Sequence, residues 1–285
     1  MRVYLYSSQL AAFVGRNPHM GASRIFNKLL EKYYDKQLKK WELTKDVDER
    51  NVSDSGKIEK ISKKIGDPTL LKKMEDICKR NFSTSTLQKE RMELFKSVET
   101  GLEEDDKKEL KKAMEGFTNK TFGTIREVNA LDVYRSRYGV DVVTKIEQRS
   151  KKILEVNGDE LWLISKLDGM KMDGTVVEIK NRIYKLFDEV REYEWLQVQA
   201  YLHVYGLENA ELVEYLKQGQ GTMKVNQIKR DDKYWMDVLV PEMGIYFASF
   251  LKLGKSKSKM EQYFVLSENE QNEFIKKMVR KEKKN

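Results

Sequence analysis

The chain has 285 residues, 40% hydrophobic and 35% charged, enough for a sizeable core under a heavily charged surface. Lys plus Arg number 54 against 46 Asp plus Glu, and the net +8 favours a polyanionic partner such as nucleic acid. A single cysteine, Cys78, and two distant histidines, His19 and His203, exclude an internal disulfide, a Cys-rich zinc site and a paired-histidine zinc hydrolase.

No run approaches the ~18 apolar residues of a membrane span, and the opening MRVYLYSSQL is too polar for a secretory signal. The expectation is therefore an intracellular, non-secreted protein without a membrane partner. Gly-rich dinucleotide and phosphate-loop fingerprints are also missing, which leaves carboxylates, amides, lysines and a hard metal ion to do any chemistry.

In chain order, Ile25, Phe26, Leu29, Leu30 and Tyr33 form a helical stripe within 19–41. Residues 45–66, with Val52-Ser-Asp-Ser-Gly56, read as a loop. From Pro68 to Gly116 the spacing predicts helical pieces, one opened by Ser85-Thr-Leu-Gln88 at capping-box spacing and one by the acidic Glu103–Asp106. A helix over 120–138 follows. The period then shortens, and VDVVTKIEQ, KKILEVN, ELWLISKLDGM and TVVEIKN, separated by Asn-Gly and Asp-Gly, predict one antiparallel meander. A helix at 189–205, two strands near 209–217 and 223–230, a helix capped by Asp231-Asp232 and a last helix after Ser267 complete the reading. The fold class is α+β: a core of residues 1–41 and 119–285, with a helical insertion or subdomain at 42–118.

Chemistry concentrates in Asp168 and Glu178-Ile179-Lys180. Glu178 and Lys180 lie two apart on a strand and share a face, while Ile179 points into the core. A two-residue turn at Asp173-Gly174 would set Asp168 opposite Ile179. A three-residue loop, Met172-Asp173-Gly174 with Gly174 left-handed, sets Asp168 opposite Glu178. The second register converges two carboxylates on a site for a hard divalent cation, with Lys180 in reach to orient or deprotonate a water. In so charged a chain a lone D-x9-E-x-K pattern has a plain alternative, a solvent-facing hairpin; the apolar flanks Leu161–Ile164 and Val176-Val177 argue for a buried sheet.

These residues resemble the core motif of the PD-(D/E)XK nucleases, with a mixed central sheet flanked by helices. Four further segments are similar to the phage lambda exonuclease-like branch, with its herpesvirus alkaline nuclease and large-DNA-virus relatives. They are Ser8-Gln-Leu-Ala-Ala-Phe-Val-Gly15-Arg-Asn-Pro18, Gly123-Thr-Ile-Arg-Glu127-Val-Asn-Ala130, Glu178-Ile-Lys180-Asn-Arg182-Ile-Tyr-Lys185-Leu-Phe187 and Gln197-Val-Gln199-Ala-Tyr201. The resemblance implies that Asp168, Glu178 and the Ile179 carbonyl bind one or two Mg²⁺ or Mn²⁺ ions. It also implies that Lys180 is the catalytic lysine, Glu127 a further acid acting through metal or water, and Gln197 a neighbour of the metal. Ser8 and Arg16 are implied near substrate phosphates, although Ser8 reads equally well as a plain helix cap. Arg182 and Lys185 read either as DNA-backbone contacts or as solvated charges. Gln197 and Gln199 are two apart on a helix and cannot share a face, and Gln197 is the one chosen for the site. Trp195, Tyr201 and both histidines read as structural.

The implied activity is a 5′-to-3′ exonuclease acting on double-stranded DNA ends in viral recombination, replication or repair, in the host cytoplasm or nucleus. A single-strand annealing protein is the implied partner, and either a ring trimer or a monomer the implied assembly. An endonuclease of the same fold, on DNA or RNA, and a non-catalytic DNA-binding protein are the alternatives. The 42–118 insertion has no counterpart in the compact phage enzyme and reads as a clamp, a block to ring formation or a partner site.

Overall fold

The computed structural model describes residues 1–43, 53–80, 84–182, 184–216 and 221–283, apart from the side chains of 84–85, 122–126 and 128. It is an α+β molecule with two mixed sheets flanked by helices. In the first sheet β1 (Arg2–Tyr6) runs parallel to β4 (Asp159–Ser165), whose other edge carries β3 (Arg149–Val156) antiparallel. Strand β1 buries the alternating Val3 and Leu5. The β3–β4 hairpin turns at Asn157-Gly158, both with positive φ (51° and 77°), the two-residue connection whose twist suits paired strands.

The second sheet has the order β2 (Val142–Val143), β5 (Gly169–Lys171), β6 (Val176–Arg182), β7 (Asn209–Leu216), β8 (Thr222–Lys229). Only β6–β7 is parallel. The single meander expected from sequence is therefore corrected. Strands β4 and β5 do not pair, because the chain changes sheets across Lys166–Asp168 and β1 takes the open edge of β4.

Helices α1 (Leu10–Phe13) and α2 (Ala22–Lys40) precede the segment expected to be an insertion. There α3 (Asp54–Lys64), α4 (Leu70–Lys79), α5 (Thr84–Val98) and the start of α6 (Glu104–Tyr138) enclose their own core of Ile58, Ile61, Leu70, Met74, Phe95, Leu110, Ala113 and Met114. The loop expected at 45–66 is corrected in its second half. Ser53 Oγ accepts from Gly56 N at 3.1 Å and caps α3, which buries Ile58 and Ile61 at helical spacing. Residues 44–52 lie outside the described residues, as does the side chain expected to cap at Ser85.

Helix α6 opens on Glu104, Asp105 and Asp106, as its acidic start suggested, and ends at Gly139 with φ +61°. Its 35 residues span about 52 Å. The helix expected over 120–138 is the far end of this one element, so a boundary at 118/119 falls inside an unbroken helix.

The far end of α6 packs Ala130, Leu131 and Tyr134 on Val177, Ile179 and Val213, one face of the second sheet. Helix α7 (Glu192–Tyr205) covers the other face, where Val176, Glu178 and Lys180 point. It starts three residues later than expected and is capped by Gly206, φ +71°. Asp231 Oδ1 accepts from Tyr234 N at 2.8 Å, the predicted cap, ahead of a π-helical stretch Trp235–Leu239. Helices α8 (Val240–Gly254), α9 (Lys257–Phe264) and α10 (Glu268–Glu282) close the main core, α10 starting on a Ser267/Glu270 capping box.

Candidate active site

The β5–β6 hairpin sets the site. Gly169 pairs with Val177 and Met170 with Val176. Lys171 N donates to Thr175 O (2.9 Å), and Gly174 N donates to Lys171 O (3.0 Å). The loop is thus Met172-Asp173-Gly174, with Gly174 left-handed at φ +85°, the register that the chemistry required. One step past Gly169 the ladder ends and Asp168 faces Glu178. There Asp168 Oδ2 accepts from Ile179 N at 2.9 Å.

Glu178 is 2% exposed. Its Oε1 accepts from Lys180 Nζ (2.7 Å) and from Gln197 Nε2 (2.9 Å), while Gln197 Oε1 accepts from Lys180 Nζ (3.2 Å). The three side chains close a ring between β6 and α7. Gln197 Nε2 also donates to the hydroxyl of Tyr201, one helical turn on. Tyr201 is buried in the main core, as expected, and its hydroxyl also meets Gln197, a contact that their four-residue spacing signalled. Gln199 instead binds Lys229 O and Asp231 N, fixing the end of β8.

Among the described residues no donor meets the buried Glu178 Oε2, although an oxygen in that position is costly to leave unsatisfied, and the Asp168 carboxyl is its acidic neighbour. Burial pushes the Glu178 carboxyl up to about 8; Lys180 opposes the shift and the charge of Asp168 adds to it. Burial works against the Lys180 ammonium, yet Glu178 beside it raises its pKa. Glu127, on α6, is pushed up to about 7 by burial and then by Asp168, with Lys180 and Lys166 opposing. It therefore lies within electrostatic reach of the cluster. Among the described residues, however, no three His, Cys, Asp or Glu side chains converge as a metal cage. The donors at hand are the Asp168 and Glu178 carboxylates and the Ile179 carbonyl. This all-oxygen set with an unsatisfied carboxylate oxygen suits a hard cation that keeps several waters.

Other expectations fare differently. Arg182 is buried, its guanidinium donating to both oxygens of Glu194 (2.7 and 2.7 Å) and to Glu214 Oε2 (2.6 Å). All three guanidinium nitrogens are engaged inside the protein, which argues against both a DNA-backbone contact and a solvated charge at Arg182. Lys185 is exposed in the loop after β6. Ser8 is exposed in the helical turn Ser7–Gln9 and caps no helix. Arg16 donates to Glu192 (2.8 Å) and to Tyr234 and pairs with Glu242 (2.7 Å), tying the α1–α2 loop to α7 and α8. Burial opposes its charge, but Glu242 and Glu192 raise its pKa.

No family model and no curated protein matches the sequence. Among solved structures, an alkaline exonuclease from Laribacter hongkongensis aligns over 64% of this chain and 87% of its own, at 15% identity and a TM-score of 0.37. The same protein in complex with dAMP aligns at 16% identity, with the same coverage and TM-score. Likeness at this level carries no residue roles to this chain.

Proposed function

We propose that the chain is a divalent-metal-dependent deoxyribonuclease of the PD-(D/E)XK kind, acting as a 5′-to-3′ exonuclease on double-stranded DNA ends. The observation that carries the reading is the buried Glu178 at the ladder end shared with Asp168, whose Oε1 is held by Lys180 and Gln197 while its Oε2 meets no donor among the described residues. Asp168, Glu178 and the Ile179 carbonyl would hold Mg²⁺ or Mn²⁺, with Glu127 reaching the site through water. Once bound, the ion lowers the pKa of a coordinated water and offsets charge on the phosphate. Lys180, held as an ammonium beside Glu178, orients the attacking water as a hydrogen-bond donor. Gln197 adds donor capacity without negative charge, so it does not repel a phosphate. Lys185, Arg16 and Ser8 are the candidate backbone contacts. The exonuclease polarity and a role in viral DNA metabolism rest on the motif resemblance.

The test is purified protein on linear duplex with one 5′-phosphorylated end, beside a closed circle, in Mg²⁺ and in EDTA. Metal-dependent loss of the linear molecule with the circle spared is expected. Cutting of the circle assigns an endonuclease instead. Asp168→Ala and Lys180→Ala should abolish cleavage with the fold intact, and activity retained in either removes the assignment.

A further inference from the structure

The loop that leads into α7 is anchored at Phe187 and Asp188. Phe187 N donates to Glu214 Oε2 (3.1 Å), and Lys224 Nζ donates to the carbonyls of Phe187 (2.7 Å) and Asp188 (2.5 Å). The Phe187 ring lies against two guanidinium groups, Arg182 at 4.5 Å and Arg191 at 4.0 Å. Between this anchor and the sheet, Tyr184 holds its side chain in solvent, 64% exposed, with Lys185 beside it and Arg191 exposed at the far end of the loop. Tyr184 is four residues beyond Lys180, within about 14 Å of extended chain. That distance is the rise of about four stacked bases. The loop thus presents one aromatic face with an exposed cation at either end, Lys185 and Arg191, and the exposed acids Asp188 and Glu189 between them; proteins hold unpaired nucleic acid with rings that stack on bases and cations that follow the phosphates.

We propose that Tyr184 is a stacking platform for an unpaired base of the substrate strand, with Lys185 and Arg191 facing its backbone. The proposal rests on the nuclease reading and names what the site grips beyond the scissile phosphate. It is tested on the full chain with wild type, Tyr184→Ala, Tyr184→Leu and Tyr184→Trp, all expected to melt at the same temperature because the side chain is exposed. Each is bound in EDTA to a duplex with a short unpaired end carrying 2-aminopurine, then assayed for cleavage of linear duplex in Mg²⁺. Wild type and Tyr184→Trp should quench the fluorescence, while Ala and Leu lose the quenching and bind about five- to hundredfold more weakly.

Equal quenching and affinity in wild type and Tyr184→Ala overturn the platform, and cleavage by wild type then leaves the nuclease reading standing. Full binding by Tyr184→Leu also overturns it, since an apolar contact without stacking would suffice. Tyr184-dependent quenching without cleavage supports the platform and removes the nuclease reading. A wild type that neither quenches nor cleaves overturns both.

Discussion

Glu178 is pulled in opposite directions by its surroundings. Burial favours the neutral acid, whereas Lys180 and a bound cation favour the carboxylate. Its folded pKa of about 8 lies above the ordinary value, so between the two the native state holds a proton that the unfolded chain has released. Stability in EDTA should therefore fall as pH rises from about 5 to 8. Mg²⁺ affinity should rise over pH 6–8, by up to about tenfold per unit for one released proton, and level off above. Thermal melts in EDTA, with calorimetric Mg²⁺ titrations in two buffers, measure both trends; affinity flat from pH 6 to 8.5 without proton release would remove Glu178 as a ligand. Arg182, two positions on, has a structural task. Arg182→Ala strands the buried Glu194 and Glu214 and should cost about 3–5 kcal/mol in urea unfolding. An equally stable variant with weakened DNA binding would restore it as a backbone contact.

At the level of elements, the β5–β6 hairpin was legible because two carboxylates had to meet. Only a three-residue loop aligns Asp168 with Glu178, and Gly174 tolerates the conformation this needs. A Cβ on Gly174 would touch only Leu207 at 3.7 Å, so Gly174→Ala should cost backbone strain alone, about 1–2 kcal/mol. Urea unfolding checks this, and an unchanged midpoint would mean that residue 174 is not left-handed. That Gln197 and Gln199 cannot share a face was also legible from helical spacing, whereas the choice of Gln197 came from the resemblance. What local pattern could not reveal was long-range pairing. Strand β1 reaches β4 across some 158 positions, as in Arg2 with Glu160, and so splits the expected meander into two sheets. The partners of Arg182 were hidden for the same reason, since Glu194 and Glu214 come from different elements. The cap on α3 was misread because Ser-Asp-Ser-Gly signals loops and helix starts alike.

For the whole molecule, α3–α5, the helices expected to form an insertion, build a core of their own with the start of α6, and the same helix runs on to the site. Residues 42–118 carry 17 Lys and Arg against 18 Asp and Glu, so the basic excess belongs to the rest of the chain. That balance argues against an electrostatic clamp. Met74 lies in the insertion core, and Met74→Ala should cost about 2–5 kcal/mol there. Native-state amide exchange should quicken across α3–α5 while β6 and β7 stay protected; uniform quickening would make the two cores one cooperative unit. Helix α6 also fixes a bearing. Between Met114, in the insertion core, and Glu127, beside the carboxylates, one residue gained or lost rotates one end against the other by about 100° and moves it about 1.5 Å. Changes of length along that stretch preserve the mutual orientation of insertion and site only near whole turns, about 7 or 11 residues at a time.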